Sequence, residues 1–481
     1  MPQKNPKNTA PPAVAASDKF KNFFRLKPRA FLLCLAAALA LTLMNPLHLN
    51  VEQQIVFGAL FMAVLSWASQ AVSQTVTSIF LLIMFSLFGM TPLQQVFKFP
   101  LSDNFITIAM SFLMSQAIVN SGIAARLADT LLARFVKKPM DLIWVGIASN
   151  LLMMFLIPQP FSRTILLAAI FVEYIKRHNI PRATSEVVML NLFVTAVTTL
   201  MMFLTADVIL NTFAVEMSGT SISWFDWAKW MAVPSFITTL IMSGLLILMN
   251  RKAFSVELGH PVARGRLGDS DQDSEHIVSH NPFSRSEKIV LVLVLGTVGM
   301  WMTESVHGVS SAFVAVVCVA GLALLTGTLG HKDIKSMNFP LMIFLTAAFS
   351  IGGVMQSSGI SEAMFSVFKM DGLVGTGWFA PAIIGLNMMV HQLVGSTVTS
   401  LSISVPGLRA LAGATMNPIA VMLISYVTVN LHYYLPFQQI VLLVGLEHYG
   451  PRHILKIGVV MTFLTPVIVM LLFMPWFQLV Q

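Results

Sequence analysis

Apolar blocks recur along this 481-residue chain, most of them close to the roughly 20 residues that one helix needs to cross a bilayer. Eleven are candidate spans: about 30–47, 54–69, 75–90, 104–121, 186–210, 228–250, 287–304, 308–327, 338–357, 417–449 and 457–478. Only 10% of the residues are charged, so a water-facing surface could not be covered, and the bilayer is the expected solvent. Lipid satisfies no backbone hydrogen bonds, so these blocks must be helices. Two further apolar stretches, 142–177 and 379–411, are interrupted midway by polar residues and proline. They read as re-entrant helical hairpins.

Charge placement orients the chain. With the N-terminus in the cytoplasm, alternating spans put inside Lys19, Lys21, Arg25, Lys27 and Arg29, then Arg126, Arg134, Lys137 and Lys138, then Lys176, Arg177 and Arg182. The same count puts inside the basic residues of 251–286, Lys332, Lys335, Arg452 and Lys456. The outer segments 46–53, 211–225, 305–308 and 479–481 carry no Lys or Arg; Lys98, Lys229, Lys369 and Arg409 are the exceptions. This is the positive-inside pattern, and it accounts for the net charge of +8 without nucleic acid. The basic stretch 1–29 is expected to be a retained cytoplasmic tail, since no apolar core and cleavage site follow. The mixed-charge segment 251–286 is expected to be a cytoplasmic linker between two halves, 30–250 and 287–481. The C-terminus falls outside. Cys34 and Cys318 lie in apolar blocks, so neither a disulfide framework nor a thiolate metal site is expected.

The halves resemble each other. Ser121-Gly122-Ile123 and Ser358-Gly359-Ile360 stand at one offset, shared by Phe112 and Phe349. That offset carries Gln159–Arg163 (QPFSR) onto Ser396–Ser400 (STVTS), so the interruptions of the two hairpins fall in register. Both halves then break again, at Phe203–Asn211 (FLTADVILN) and Tyr434–Ile440 (YLPFQQI), after Val197-Thr198 and Val427-Thr428. The amphipathic stretches 123–137 and 360–370 are expected to lie along the interfaces. The first unit begins outside and the second inside, so the repeat is inverted. Matched discontinuous helices in inverted halves point to a transport site near the midplane, where helix N-termini carry positive partial charge that suits an anion.

On these residues the chain resembles the divalent anion/sodium symporter family, from about residue 50 to the end, including Gly219–Pro234 (GTSISWFDWAKWMAVP) before the sixth span. Arg163-Thr164 of Ser162-Arg163-Thr164 matches the Arg-Thr part of the Ala-Arg-Thr of the bacterial citrate/tartrate/dicarboxylate branch, and His391 matches that branch's histidine, whereas Gln159-Pro160-Phe161 stands where the family has Ser-Asn-Thr. The resemblance implies a homodimer with scaffold and transport domains, an elevator-type mechanism and a bacterial-type inner-membrane location.

Arg163 leads the candidate substrate contacts: a charge in a span is costly, and its planar fork grips carboxylate or sulfate in bidentate fashion. The competing reading pairs it structurally with Asp207. Gln159, Ser162, Thr164, Ser396, Thr397, Thr399, Ser400, Gln438 and Gln439 supply polar groups for the same anion. Asp207, with Thr205 and Asn211, is the candidate for cation coupling; Asp207 could hold Na+, carry a proton or neutralise Arg163. His391 and His432 are further candidates beside the role of satisfied core histidines. The expected function is secondary active transport of a di- or tricarboxylate or sulfate-like anion, by cation symport or anion exchange. The rival is a Na+/H+ or arsenite-like antiporter. No catalytic constellation, phosphate-binding loop, metal set or cofactor motif appears, so neither an enzyme nor a nucleotide-driven pump is expected.

Overall fold

The computed structural model describes residues 27–255, 282–335, 337–366, 372–413, 415–434 and 438–481. Most of the expected tail, the linker from 256 to 281, residues 367–370 of the second amphipathic stretch and 435–437 of the last break lie outside those residues.

The described chain is helical. In order come α1 (Pro28–Met44), α2 (Val51–Ser69), α3 (Gln74–Phe88), α4 (Asp103–Ser121), α5 (Ile123–Phe135), α6 (Asp141–Met153) and α7 (Pro160–Arg177). Then follow α8 (Arg182–Thr199), α9 (Val208–Ser218), α10 (Trp224–Met249), α11 (Arg285–Met302), α12 (Ser311–Thr326) and α13 (Phe339–Ser357). The last are α14 (Phe379–Val394), α15 (Thr397–Ala412), α16 (Pro418–Leu431), α17 (Ile440–Val444) and α18 (Pro451–Ile468). Their ends follow local chemistry. Asn50 and Gln53 close a capping box on α2, and Ser284 and Glu287 close another on α11. Proline opens α1, α7, α16 and α18, where its missing N–H costs nothing.

The chain forms two compact units. One comprises the residues up to Phe97 together with Phe339–Ala363; the other comprises Lys98–Asn338 and Met364–Gln481. In the first, α2 and α3 pack together, α1 lies on α2 and α13 on α3. In the second, α4 packs on α12, α8 on α6 and α10, and α14, α15 and α16 on one another.

Many polar side chains are buried among the apolar core, and many large apolar ones are exposed. Ser111, Asn150, Arg163, Asn191, Thr195 and Thr198 are fully buried, whereas Leu43, Leu324, Leu471 and Leu479 are at least 74% exposed. That is the distribution a lipid solvent selects, because it hydrates nothing and welcomes hydrocarbon. Among the described residues, three helices are long and apolar enough to cross a bilayer singly: Trp224–Met249, Phe339–Ser357 and Pro451–Val480. α4 and α5, joined at a 58° bend, pass together. Most of the other apolar helices have 10–17 residues. The block expected as one span over 186–210 is divided, with α8 ending at Thr199 and α9 starting at Val208.

Residues 237 apart occupy like conformations. Gly122 (φ 75°) and Gly359 (φ 72°) both take the left-handed form that stops α4 and α13, a conformation glycine adopts without strain. Gln159 (φ −138°, ψ 114°) and Ser396 (φ −133°, ψ 125°) are the extended residues before α7 and α15. Asn150 Nδ2 donates to Thr195 Oγ1 (3.1 Å), tying α6 to α8; Asn387, at the same offset, donates to Ser425 Oγ (3.0 Å), tying α14 to α16.

Candidate functional site

All candidate residues lie in the second unit. The first tip is the turn between α6 and α7. Ile157 and Gln159 each precede a proline, which disfavours helix for both, so the chain leaves α6 extended before Pro160 restarts it. The carbonyl of Pro158 accepts from Val208 N (3.3 Å), seating this tip on the start of α9. Arg163, in the first turn of α7, is fully buried. Its Nη1 donates to the carbonyls of Ile157 (3.4 Å) and Ala206 (3.2 Å), while Nε and Nη2 have no protein partner. The direct ion pair with Asp207 is not formed: none of the Arg163 nitrogens comes within 4.0 Å of a carboxylate oxygen there. Asp207 instead caps α9, its Oδ1 accepting from Ile209 N (3.0 Å) and Leu210 N (3.1 Å). The carboxylate is held by its own helix start and the guanidinium by two carbonyls, so the pair shares a neighbourhood without a contact.

The other first-half candidates separate. Gln159 is buried with its Nε2 unpartnered, and Thr164 Oγ1 donates back to Pro160 O (2.5 Å). Thr205 Oγ1 accepts from Trp224 Nε1 (3.1 Å). Asn211 is bonded on both sides of its amide: Nδ2 donates to the carbonyls of Leu200 (2.8 Å), Phe203 (2.9 Å) and Leu204 (3.4 Å), and Oδ1 accepts from the Tyr426 hydroxyl. Its amide braces the break and leaves one acceptor position on Oδ1. Ser162 turns away from Arg163, one residue round the helix, into a pocket of about 90 Å³ lined also by Phe112, Gln116 and Asp333.

The second tip lies between α14 and α15, where Gly395 (φ 67°) ends α14. Ser396 Oγ caps α15, accepting from Thr399 N (3.5 Å) and Thr399 Oγ1 (3.2 Å). Thr397 Oγ1 donates to Gln438 O (3.4 Å), so this tip too meets a helix break. Ser400 is buried with its hydroxyl unpartnered. Gln438 Nε2 donates to Gln392 Oε1 (3.0 Å) and Gln439 Nε2 to Asn430 O (3.1 Å). His391 and His432 are buried, with ring centroids 5.9 Å apart. α9 packs on α15 and α16, while α17 packs on α7 and α8, so each break lies against helices of the other half.

Sequence reasoning passed over Asn150, Asn387 and Tyr426. The signal for the asparagines was present, since they stand at the repeat offset inside apolar blocks. Among the described residues, no group of three or more His, Cys, Asp or Glu side chains is arranged to hold a metal ion.

The family model described as "Sodium:sulfate symporter transmembrane region" matches residues 27–481. Dicarboxylate transporter 1, chloroplastic, of Spinacia oleracea is 24% identical over 363 residues, 71% of this chain and 59% of that protein. The chain thus spans less than two thirds of that relative, and 49% of its counterpart in Arabidopsis thaliana. The putative malate transporter YflS of Bacillus subtilis is 21% identical over 68% of this chain and 69% of its own. The inner membrane protein YbhI of Escherichia coli is 23% identical over 64% of this chain and 65% of its own. The crystal structure of the Alcanivorax borkumensis YdaH transporter aligns with 78% of this chain and 83% of that one, at a TM-score of 0.48 and 13% identity. With the match running from Lys27 to the last residue, the chain belongs to the sodium:sulfate symporter family, a family of membrane transporters and not of enzymes.

Proposed function

We propose that this protein is a secondary active transporter of small di- or tricarboxylates or sulfate-like anions, with Arg163 as the principal substrate contact. The observation that carries the reading is a fully buried guanidinium with two nitrogens free of protein partners, seated where the first hairpin tip meets a broken helix. A buried cation with no ion-pair contact is costly, and an anion supplies that contact together with acceptors for the idle N–H groups. The starts of α7, α9 and α15 add positive partial charge around the tips. The names of the plant and Bacillus relatives, a dicarboxylate and a putative malate transporter, support a carboxylate substrate.

Gln159, Thr164, Thr397, Thr399, Ser400, Gln438 and Gln439 complete the polar lining in this reading; Ser162 lies off it. Asp207 with Thr205 is the cation-coupling group, in this reading for Na+, and Asn211 is a brace. The two halves, 30–250 and 287–481, are an inverted repeat joined by a cytoplasmic linker, with eleven spans, two re-entrant hairpins, the N-terminus inside and the C-terminus outside. The paired Asn150–Thr195 and Asn387–Ser425 bonds and the paired glycine turns support the repeat. Homodimers moving a transport domain as an elevator in a bacterial-type inner membrane complete the proposal.

Thermal-shift screening of the purified protein against malate, citrate, succinate and sulfate, with and without Na+, tests it. A bound anion raises stability by mass action, about 2.7 kcal/mol at a hundred times Kd. Stabilisation by none of these anions, together with stabilisation by arsenite or by Na+ alone, would favour an antiporter instead.

A further inference from the structure

The two halves diverge at one buried contact, and the divergence is chemical. In the first half, Met154 at the end of α6 and Met202 after α8 pack in an apolar cluster with Ala206. The repeat offset of 237 carries Met154 onto His391, and the offset of 230 that relates Thr198 to Thr428 carries Met202 onto His432. In the second half the matching contact is the imidazole pair, 5.9 Å between centroids and 62° between planes. Both histidines are buried. The His391 ring meets the backbone of His432 and Gln438 without a hydrogen bond of good geometry at either nitrogen, and Nδ1 of His432 has no partner. The fold therefore closes this contact with methionines in one half and with two buried imidazoles in the other. Packing does not explain the exchange.

Position explains it better. His391 sits in the last turn of α14 and His432 caps the C-terminus of α16. Both lie at carbonyl ends, so negative partial charge is turned toward the rings. Among the elements packed on α14, α15 carries Arg409, bonded to Met217 O, and α16 carries Tyr426, bonded to Asn211. Tyr433 and Tyr434 follow α16, with the Tyr434 ring 5.4 Å from that of His432. Residues 435–437 are Leu-Pro-Phe, which do not titrate. Among the described residues neither ring forms an ion pair with a carboxylate; α9, packed on α16, carries Glu216 and is capped by Asp207. Two neighbouring cations would repel, so the pair takes one proton, and the missing counter-charge must come from a ligand. The second tip, with Thr397 on the carbonyl of Gln438 and Gln438 on Gln392, joins the histidine next to Gln392 to the anion lining.

We infer that the His391–His432 pair binds one proton when an anion occupies the site, so that the protein moves its anion together with H+. This rests on the anion-transport reading above. The test measures malate and sulfate affinity for the purified full chain between pH 6.5 and 8.5, where both ligands stay fully ionised, and follows proton uptake with a pH dye. One proton taken up per anion makes wild-type Kd rise about tenfold per pH unit. His391→Met/His432→Met restores the residues found at the matching contact; it should bind anion with a flat pH profile and take up no proton. Should the double variant fail to fold, His391→Met or His432→Met alone should show the same flattening. Anion binding by wild type without proton uptake overturns this inference and leaves the anion reading standing. Undiminished proton uptake in a folded variant overturns it too, by moving the proton elsewhere. If neither malate nor sulfate binds wild type, the anion reading fails and takes the proton site with it.

Discussion

Replacing Arg163 separates two roles by magnitude. In Arg163→Ala the protein loses the bonds from Nη1 to the Ile157 and Ala206 carbonyls, which at 3.4 and 3.2 Å are long. Bonds to charged groups contribute about 1.5–3 kcal/mol each, and long ones less, so about 2 kcal/mol is lost for the shared pair. Removing a buried cation returns part of its desolvation cost, which leaves the folded state near its original stability. Binding behaves differently. Nε and Nη2 have nothing else to donate to, so an anion there forms two charge-assisted bonds worth about 3–6 kcal/mol together. Their loss lowers anion affinity by about 10² to 10⁴-fold. Arg163→Lys should recover little, because a single ammonium cannot reproduce the fork. The assay pairs thermal melting with labelled-malate binding per folded molecule. A large fall in melting temperature with unchanged binding would make Arg163 a brace between the tip and the break, and would refute the assignment.

The other predictions are these. Asp207→Asn keeps the cap on α9, since asparagine caps as well as aspartate, and should retain anion binding while losing dependence of uptake on the Na+ gradient, measured in proteoliposomes. Tyr426→Phe leaves Asn211 Oδ1 buried without its donor and should destabilise the protein by about 1–3 kcal/mol in a thermal or denaturant melt. Asn150→Ala removes the cross-helix bonds to Leu192 O and Thr195 Oγ1, and Asn387→Ala the one to Ser425 Oγ; each should cost about 0.6–2 kcal/mol, more for Asn150, with little change in transport per folded molecule. An unchanged melt in either variant would argue against its bracing role.

The helices were legible because lipid imposes one pattern on a chain: apolar blocks of a set length, ended by Gly, Pro, Ser and Asn. The hairpin interruptions and the breaks at Phe203 and Tyr434 were legible for the same reason, since polar residues and proline interrupt such a block. Side-chain direction was not. Ser162 and Arg163 are neighbours in sequence, yet a helix turns them about 100° apart, and only the packing of α4 shows that the serine faces Gln116. The partners of Asn211 come from a carbonyl cluster that exists only once α8 has ended, and from Tyr426, 215 residues away. Asp207 looked free to pair with Arg163 because sequence does not reveal that its own helix start, two and three residues on, would capture it.

Counterflow tests the central claim most directly. Purified protein is reconstituted in liposomes loaded with unlabelled malate, citrate or sulfate, and the labelled form of the same anion is added outside in trace. Transient accumulation of label above protein-free liposomes is predicted for at least one of the three, and its loss in Arg163→Ala. Label that never accumulates for any of them, or accumulates equally in Arg163→Ala, would contradict transport of an anion held by that guanidinium.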